Sequence, residues 1–317
     1  MKIPSHASQR QLGLTLVELM VALVLGLVVI GAVVNLFLTN RQTYRTTENL
    51  ARMQENLRFA FELMARDVRE AGATACGSTT VANVLKGTPP SWSWEGESLR
   101  AYEDCNAVPT FPPSNCADGT PVLAISRASN SAEEVRVTDH DPAAATLTLS
   151  STTGLDVGDI LFVCKGSQAA IFQATDVNAN NLTVDHQAGQ NTPGNETKCL
   201  DFPLKPNQCK TSFKGGTLLK FQHLWYVGTN DRGGTSLYRK VGNDAAVEMV
   251  PDIDQLTLRF LVKNDTTYRP IASVTAWQNV VAVRIVVRSV STDKVGTDGQ
   301  PLHREYPFTI ALRNRLD

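Results

Sequence analysis

The sequence predicts an α+β protein: one very long N-terminal helix packed on an antiparallel β-sheet head, with an inserted β subdomain and disulfide-stapled loops. Three observations carry that expectation. From Leu14 to Leu38 the chain runs 25 residues with a single charge, Glu18. Over residues 39–72, Leu50, Met53, Leu57, Phe61, Met64 and Val68 recur every three or four positions, which makes one apolar stripe on a helix. From Pro121 onward the apolar period changes to two, the signature of half-buried strands.

The first element is a short basic leader, residues 1–13, with Lys2 and Arg10 and no acid. The apolar run that follows is long enough to cross a hydrocarbon core of roughly 30 Å as a helix. Positive charge ahead of the run orients the leader to the cytoplasm and everything beyond Leu38 to the far side. A carboxylate in such a run costs roughly 2.5–3.5 kcal/mol at mid-span, so Glu18 needs a partner. The bland alternative is a plain signal anchor with a tolerated carboxylate. A cleaved secretory signal fits less well, because its apolar region is about 7–15 residues long and ends in small residues, whereas Gly13 precedes this run.

The amphipathic continuation over residues 39–72 carries the i,i+4 pairs Arg58–Glu62, Glu62–Arg66 and Arg66–Glu70 on its polar side, with Gly72 as the stop. Residues 73–120 read as a Cys-, Pro- and Trp-rich loop region, including Trp92, Trp94, Pro112 and Pro113, and its tryptophans are expected to pack a stapled loop. An inserted β subdomain is expected over 121–190, with strands at 122–125, 134–137, 146–149, 157–163, 170–174 and 182–184. Asp176 to Asn180 has the beginning of a calcium loop, but Asn181 stands where glycine is needed and Gln187 where the bidentate glutamate belongs, so an Asn-rich turn is the better reading. The C-terminal antiparallel head, 191–317, is expected to contain a hairpin of 218–227 with 236–241, then strands from Val247 and Ile253, the strong strand Val280 to Val290, and a closing strand from Tyr306 to Leu312. Arg313 and Arg315 read as solvated charges.

The six cysteines, Cys76, Cys105, Cys116, Cys164, Cys199 and Cys209, all lie beyond the apolar run and none forms a C-x-x-C pair, so zinc and thioredoxin-like readings are weak. An even number in an oxidising compartment reads as disulfides, with fifteen connectivities open. Short loops favour Cys199–Cys209 and Cys105–Cys116, which leaves Cys76 with Cys164; free buried thiols are the alternative. The five histidines are scattered, and each reads as a surface or satisfied residue. No Walker A, G-x-S-x-G, H-E-x-x-H or G-x-G-x-x-G pattern occurs, so no catalytic residue, metal ligand or cofactor is expected. The net charge is −1, and −3 without residues 1–13, which does not invite nucleic acid; no direct nucleic-acid binding is expected.

Gly13 followed by Leu14-Thr15-Leu16-Val17-Glu18 and the apolar run resembles the class III signal of type IV prepilins and type II secretion pseudopilins. The resemblance implies a pilin-like fold, cleavage after Gly13 by a prepilin peptidase, methylation of the new Leu14 terminus, and an assembly role for Glu18. That family usually has Phe where this chain has Leu14. Further along, Leu224-Trp225-Tyr226-Val227, Ser236-Leu237-Tyr238-Arg239, Pro251-Asp252-Ile253-Asp254-Gln255-Leu256 and Ile310-Ala311-Leu312-Arg313-Asn314-Arg315 are similar to the PilW family of type IV pilus minor pilins. The chain departs from that family after Phe260, with Leu261-Val262 in place of Tyr-Gly and an acid. The resemblance implies a single-pass protein of the bacterial inner membrane and pilus, near the tip, that supports initiation of pilus assembly, twitching motility and adhesion. Its implied partners are other minor pilins, the major pilin and a tip adhesin. A minor pseudopilin of type II secretion, J-like, shares the signal and the stalk and is the second reading. An anchored periplasmic enzyme is the third, with no site motif behind it.

Overall fold

Fifty-four residues, Leu16–Arg69, form a single helix, α1. At 1.5 Å per residue it is about 80 Å long. The computed structural model describes residues 15–72, 76–77, 80–87, 98–109, 111–127, 135–189, 193–205 and 208–315. Trp92 and Trp94 lie outside the described residues. The helix stops where expected. Gly72 sits in the left-handed region (φ 74°), which a glycine enters without steric cost, and its N–H donates to Ser126 O at 2.9 Å.

The described strands are β1 (Thr80–Asn83), β2 (Leu99–Tyr102), β3 (Val122–Ile125), β4 (Val135–Asp141), β5 (Thr146–Leu149), β6 (Ile160–Lys165), β7 (Gln168–Gln173), β8 (Asp176–Asn178), β9 (Thr183–Asp185), β10 (Thr217–Lys220), β11 (His223–Thr229), β12 (Thr235–Val241), β13 (Val247–Pro251), β14 (Ile253–Val262), β15 (Val280–Val290) and β16 (His303–Ala311). They form three sheets: β1-β7-β6-β10-β4-β5-β9-β8, β13-β12-β11-β3-β2, and β14-β15-β16. Every pairing is antiparallel except β1 with β7. The expected α+β architecture, a long N-terminal helix on antiparallel-rich sheets with three disulfides, is the one present.

Helix and head share one core. Leu57, Ala60, Met64, Ala65 and Val68 of α1 pack with Trp225, Val250, Phe260, Val283, Ile285 and Ile310 from the two smaller sheets. Met53, Leu57, Met64 and Val68 of the predicted stripe are fully buried, while Leu50 and Phe61 are half-buried at its margins. The eight-stranded sheet is covered on both faces. Leu161 and Val163 of β6 join one cluster, and Ile160, Phe162 and Cys164 join the other. That two-sided burial is why Ile160 to Cys164 reads as an unbroken apolar run rather than an alternating one.

Several sequence expectations change at the level of strands. The stretch 218–227 is not one strand: it breaks at Phe221 and Gln222, so that β10 joins the eight-stranded sheet and β11 the five-stranded one. The segment 122–125, expected in the inserted β region, pairs instead with β11 and β2. Strands β1 and β2 fall within the region read as loops; at four residues each they are too short to show a period. Asp176 to Asn178 is a strand, and the turn after it is closed by Asn178 Oδ1, which accepts from the Asn180 and Asn181 N–H groups. Arg315 is not a solvated charge. Its Nη1 donates to Trp277 O at 2.6 Å and Val280 O at 3.1 Å, and its Nη2 to Ser98 Oγ at 2.8 Å.

A buried histidine pair lies inside the eight-stranded sheet. His140 Nε2 and His186 Nε2 are 3.2 Å apart, with Phe213 and Phe172 against the rings. The Phe213 N–H donates to His140 Nδ1 at 3.1 Å, so the neutral His140 ring carries its proton on Nε2 and donates to His186. Burial pushes His140 down to about 4, against the pull of Asp141, Asp139 and Asp201. Burial and then His140 itself push His186 down to about 3. Unfolded histidines take up protons near pH 6.5, so between there and about pH 4 the unfolded chain binds more protons than the folded one. Stability contributed by the pair is therefore full above pH 6.5 and falls with acidification, by at most about 1.4 kcal/mol per pH unit for each histidine. Urea midpoints measured at pH 7.5 and pH 5 should drop for the native chain, and the double variant His140→Leu/His186→Leu should show a shallower drop.

Candidate functional site

Among the described residues, the N-terminal half of α1 forms the longest run without a buried side chain. Thr15 caps it: the Glu18 N–H donates to Thr15 Oγ1 at 3.3 Å. Glu18 thus occupies the first helical turn, where a carboxylate meets the positive end of the helix dipole. Every described side chain from Leu16 to Leu38 is exposed, including Leu16, Val17, Leu27 and Phe37 at 65–75%. A run of that length and composition meets the requirement for a membrane span, and none of its most apolar window is buried against the head.

Beyond the run the helix surface becomes polar. The hydroxyls of Thr39, Thr43, Thr46 and Thr47 each donate to the carbonyl four residues back, at 2.9–3.0 Å. The head begins to hold the helix here. Gln42 Nε2 donates to Val295 O at 3.5 Å, and Asn49 exchanges hydrogen bonds with Asp293. Asn56 Nδ2 follows, donating to Pro251 O at 3.1 Å. From Gln42 onward α1 belongs to the head; from Leu19 to Leu38, Asn35 apart, it presents bare hydrocarbon.

The strongest polar attachment comes in the last turn of the helix, at Asp67. Asp67 is 2% exposed. Trp225 Nε1 donates to its Oδ2 at 2.8 Å, and Arg127 Nη2 lies 2.8 Å from its Oδ1. Arg127 also pairs with Glu70, and Arg239 lies over the Trp225 ring. Burial raises the Asp67 carboxyl above its ordinary range, and Arg127, foremost, draws it back. His223, buried beside them with Nδ1 3.6 Å from Asp67 Oδ2, is held well below its usual range by burial and by the nearby Arg127 and Arg239, so it stays neutral. Of the expected i,i+4 pairs, Arg58–Glu62 forms; Glu70 turns instead to Arg127.

Glu18 stands exposed near the start of the bare helix, and Gly13 and Leu14 lie outside the described residues. The structure bonds Cys76 to Cys164, Cys105 to Cys116 and Cys199 to Cys209. His6 is outside the described residues, and His303 Nδ1 faces Asp254 Oδ2 at 3.1 Å. Among the described residues one group of three carboxylates, Asp156, Asp159 and Asp244, has metal-ligand spacing. Lys220 Nζ is 3.0 Å from Asp159 and also pairs with Asp244, so an ammonium already sits against two of the three. Two features escaped the sequence reading. Thr15-x-x-Glu18 is a helix N-cap signal that was present in the residues. Asp67 gave no signal, because nothing local separates a buried aspartate from its exposed neighbours on a charged helix.

Removing the Asp67 carboxylate leaves Arg127 and the Trp225 N–H short of a partner in the core. Asp67→Ala should cost about 3–5 kcal/mol of stability, the scale of a broken buried ion pair. Asp67→Asn, which keeps an acceptor for Trp225, should cost less. Urea unfolding of the detergent-solubilised chain, followed by tryptophan fluorescence, measures both.

Residues 8–34 match the family model described as the prokaryotic N-terminal methylation motif. No curated protein and no solved structure matches the chain. The motif is the one carried by type IV prepilin-like N-termini; with the exposed apolar helix behind it, it implies a membrane anchor and processing by prepilin peptidase.

Proposed function

We propose that the protein is a minor pilin that takes part in initiating type IV pilus assembly, and through it supports twitching motility and adhesion. The observation that carries this reading is the methylation motif over residues 8–34, continuous with an apolar helix that the head leaves uncovered up to Gln42. In this reading the prepilin inserts with residues 1–13 in the cytoplasm and the head on the opposite side. The peptidase cleaves after Gly13, and the freed Leu14 amine is methylated. Glu18 then pairs with the N-terminal amine of a neighbouring subunit. Among packed apolar helices little water screens that attraction, so a single carboxylate sets axial register as well as adding energy. The large head, with its eight-stranded sheet beside the helix-packed core, favours a priming or tip position, where other minor pilins, the major pilin and an adhesin are its neighbours. A J-like minor pseudopilin of type II secretion would use the same helix and the same carboxylate. The head size inclines the reading to the pilus.

The N-terminal mass of the membrane-extracted protein tests the processing step. A methylated Leu14 terminus is expected when prepilin peptidase is present, and an unprocessed terminus when it is absent or when Gly13→Ala is introduced. Glu18→Ala is expected to leave the head folded, judged by its near-UV circular dichroism, while piliation drops to the level of a strain lacking the protein. Normal piliation in that variant would remove Glu18 from the mechanism.

A further inference from the structure

A second surface, on the head end of the same helix, has the chemistry of a binding site. Phe61, Ala65, Arg66, Arg69 and Arg313 line a groove of about 420 Å3, together with Glu62 and Glu70. Its apolar floor is fixed: Ala65 is buried, and Phe61 stacks edge-on against Phe308 with ring centroids 5.0 Å apart. Its charges are unbalanced. Glu62 is taken by Arg58, and Glu70 by Arg127. Arg66, Arg69 and Arg313 are exposed, and none of them forms an ion pair or side-chain hydrogen bond with another described residue. Arg66 and Arg69 fall in the last turn of α1, where the helix dipole favours cations. That accounts for two of the three. Arg313 arrives from the far end of the fold, on the 3-10 turn that follows β16, with no dipole of α1 to explain it.

We propose that the groove docks a carboxylate-bearing segment of a partner protein, with the three guanidinium groups receiving acidic side chains and Phe61 and Ala65 receiving an apolar one between them. A guanidinium presents a planar fork that matches a carboxylate in two parallel hydrogen bonds. The apolar floor of Phe61 and Ala65 among the guanidinium groups favours an acidic-apolar peptide over a polyphosphate strand, which has no apolar group to set against it. The surface is independent of the N-terminal processing and of the kind of filament the protein joins.

The test uses the full chain in a nonionic detergent and a fluorescein-labelled peptide of alternating glutamate and leucine, with binding read as anisotropy. The peptide should bind, and binding should weaken as sodium chloride is raised from about 50 to about 500 mM. The triple variant Arg66→Ala/Arg69→Ala/Arg313→Ala should lose about tenfold or more in affinity, as expected for several charge-assisted contacts partly screened by solvent. Arg259→Ala, on an exposed arginine of β14, should change nothing. If the triple variant fails to fold, Arg313→Glu alone, on a surface turn, should still lose severalfold, and a lysine-leucine peptide should bind it better than it binds the native chain. Peptide affinity unchanged in both variants would overturn the proposal. So would a short DNA duplex displacing the peptide at lower concentration than unlabelled peptide does, because the groove would then be a phosphate site.

Discussion

The Asp67 carboxylate, buried between the guanidinium of Arg127 and the indole N–H of Trp225, is the interaction on which the placement of everything else depends. A helix stripe of Met, Leu and Ala can slide or rotate by a residue at modest cost, because dispersion contacts are non-directional. A buried carboxylate with two directional donors cannot, since any other register leaves a charge in the core without its partner. Arg127 lies two residues beyond β3, and Trp225 lies within β11. The node therefore fixes α1 to two neighbouring strands of the five-stranded sheet at once. The Gly72 N–H to Ser126 carbonyl bond, one residue from Arg127, closes the same corner through the backbone.

Around that corner the chain separates two tasks. The three-stranded sheet and the five-stranded sheet build the core that receives the amphipathic half of α1. The eight-stranded sheet builds its own two cores and is joined to the five-stranded sheet at the switch at Phe221 and Gln222, where the chain passes from β10 into β11. Because the two strands carry similar apolar residues, their hydrophobic pattern does not mark the change of sheet. The mark is the buried polar pair Gln222 and His223, which would be an odd choice in the middle of an uninterrupted central strand.

What the residues disclosed and what they concealed follow the same division. The helix, its stop at Gly72 and the strong strand at Val280 to Val290 were legible, because each rests on local periodicity or on a single conformational demand. The membership of 122–125 and 217–220 in different sheets was not, because pairing partners far apart in sequence leave no local trace. Arg315 misled for a related reason: an arginine near a chain end reads as solvated until Trp277, Val280 and Ser98 are known to offer it three acceptors. The N-terminal methylation motif was legible in kind, since an isolated carboxylate in a 25-residue apolar run is anomalous on energetic grounds alone. The Asp67 node and the groove at Arg313 were hidden, since both are assembled from segments far apart in sequence.

The bond between Cys76 and Cys164 lies just past the end of α1 and joins it to β6, a central strand of the eight-stranded sheet. Tension applied along the helix would reach Cys76 and then cross the sulfur bridge, since a covalent link is stiffer than any hydrogen-bonded ladder it bypasses. The 87 residues between the two cysteines form a closed covalent loop off that line, held to α1 by noncovalent contacts such as Arg127 with Asp67 and Gly72 with Ser126. The β1, β2, β3, β4 and β5 strands and the Cys105–Cys116 loop all lie within it. With the bridge closed, a pull on the anchor cannot draw that loop out lengthwise, even where its noncovalent contacts to the helix give way.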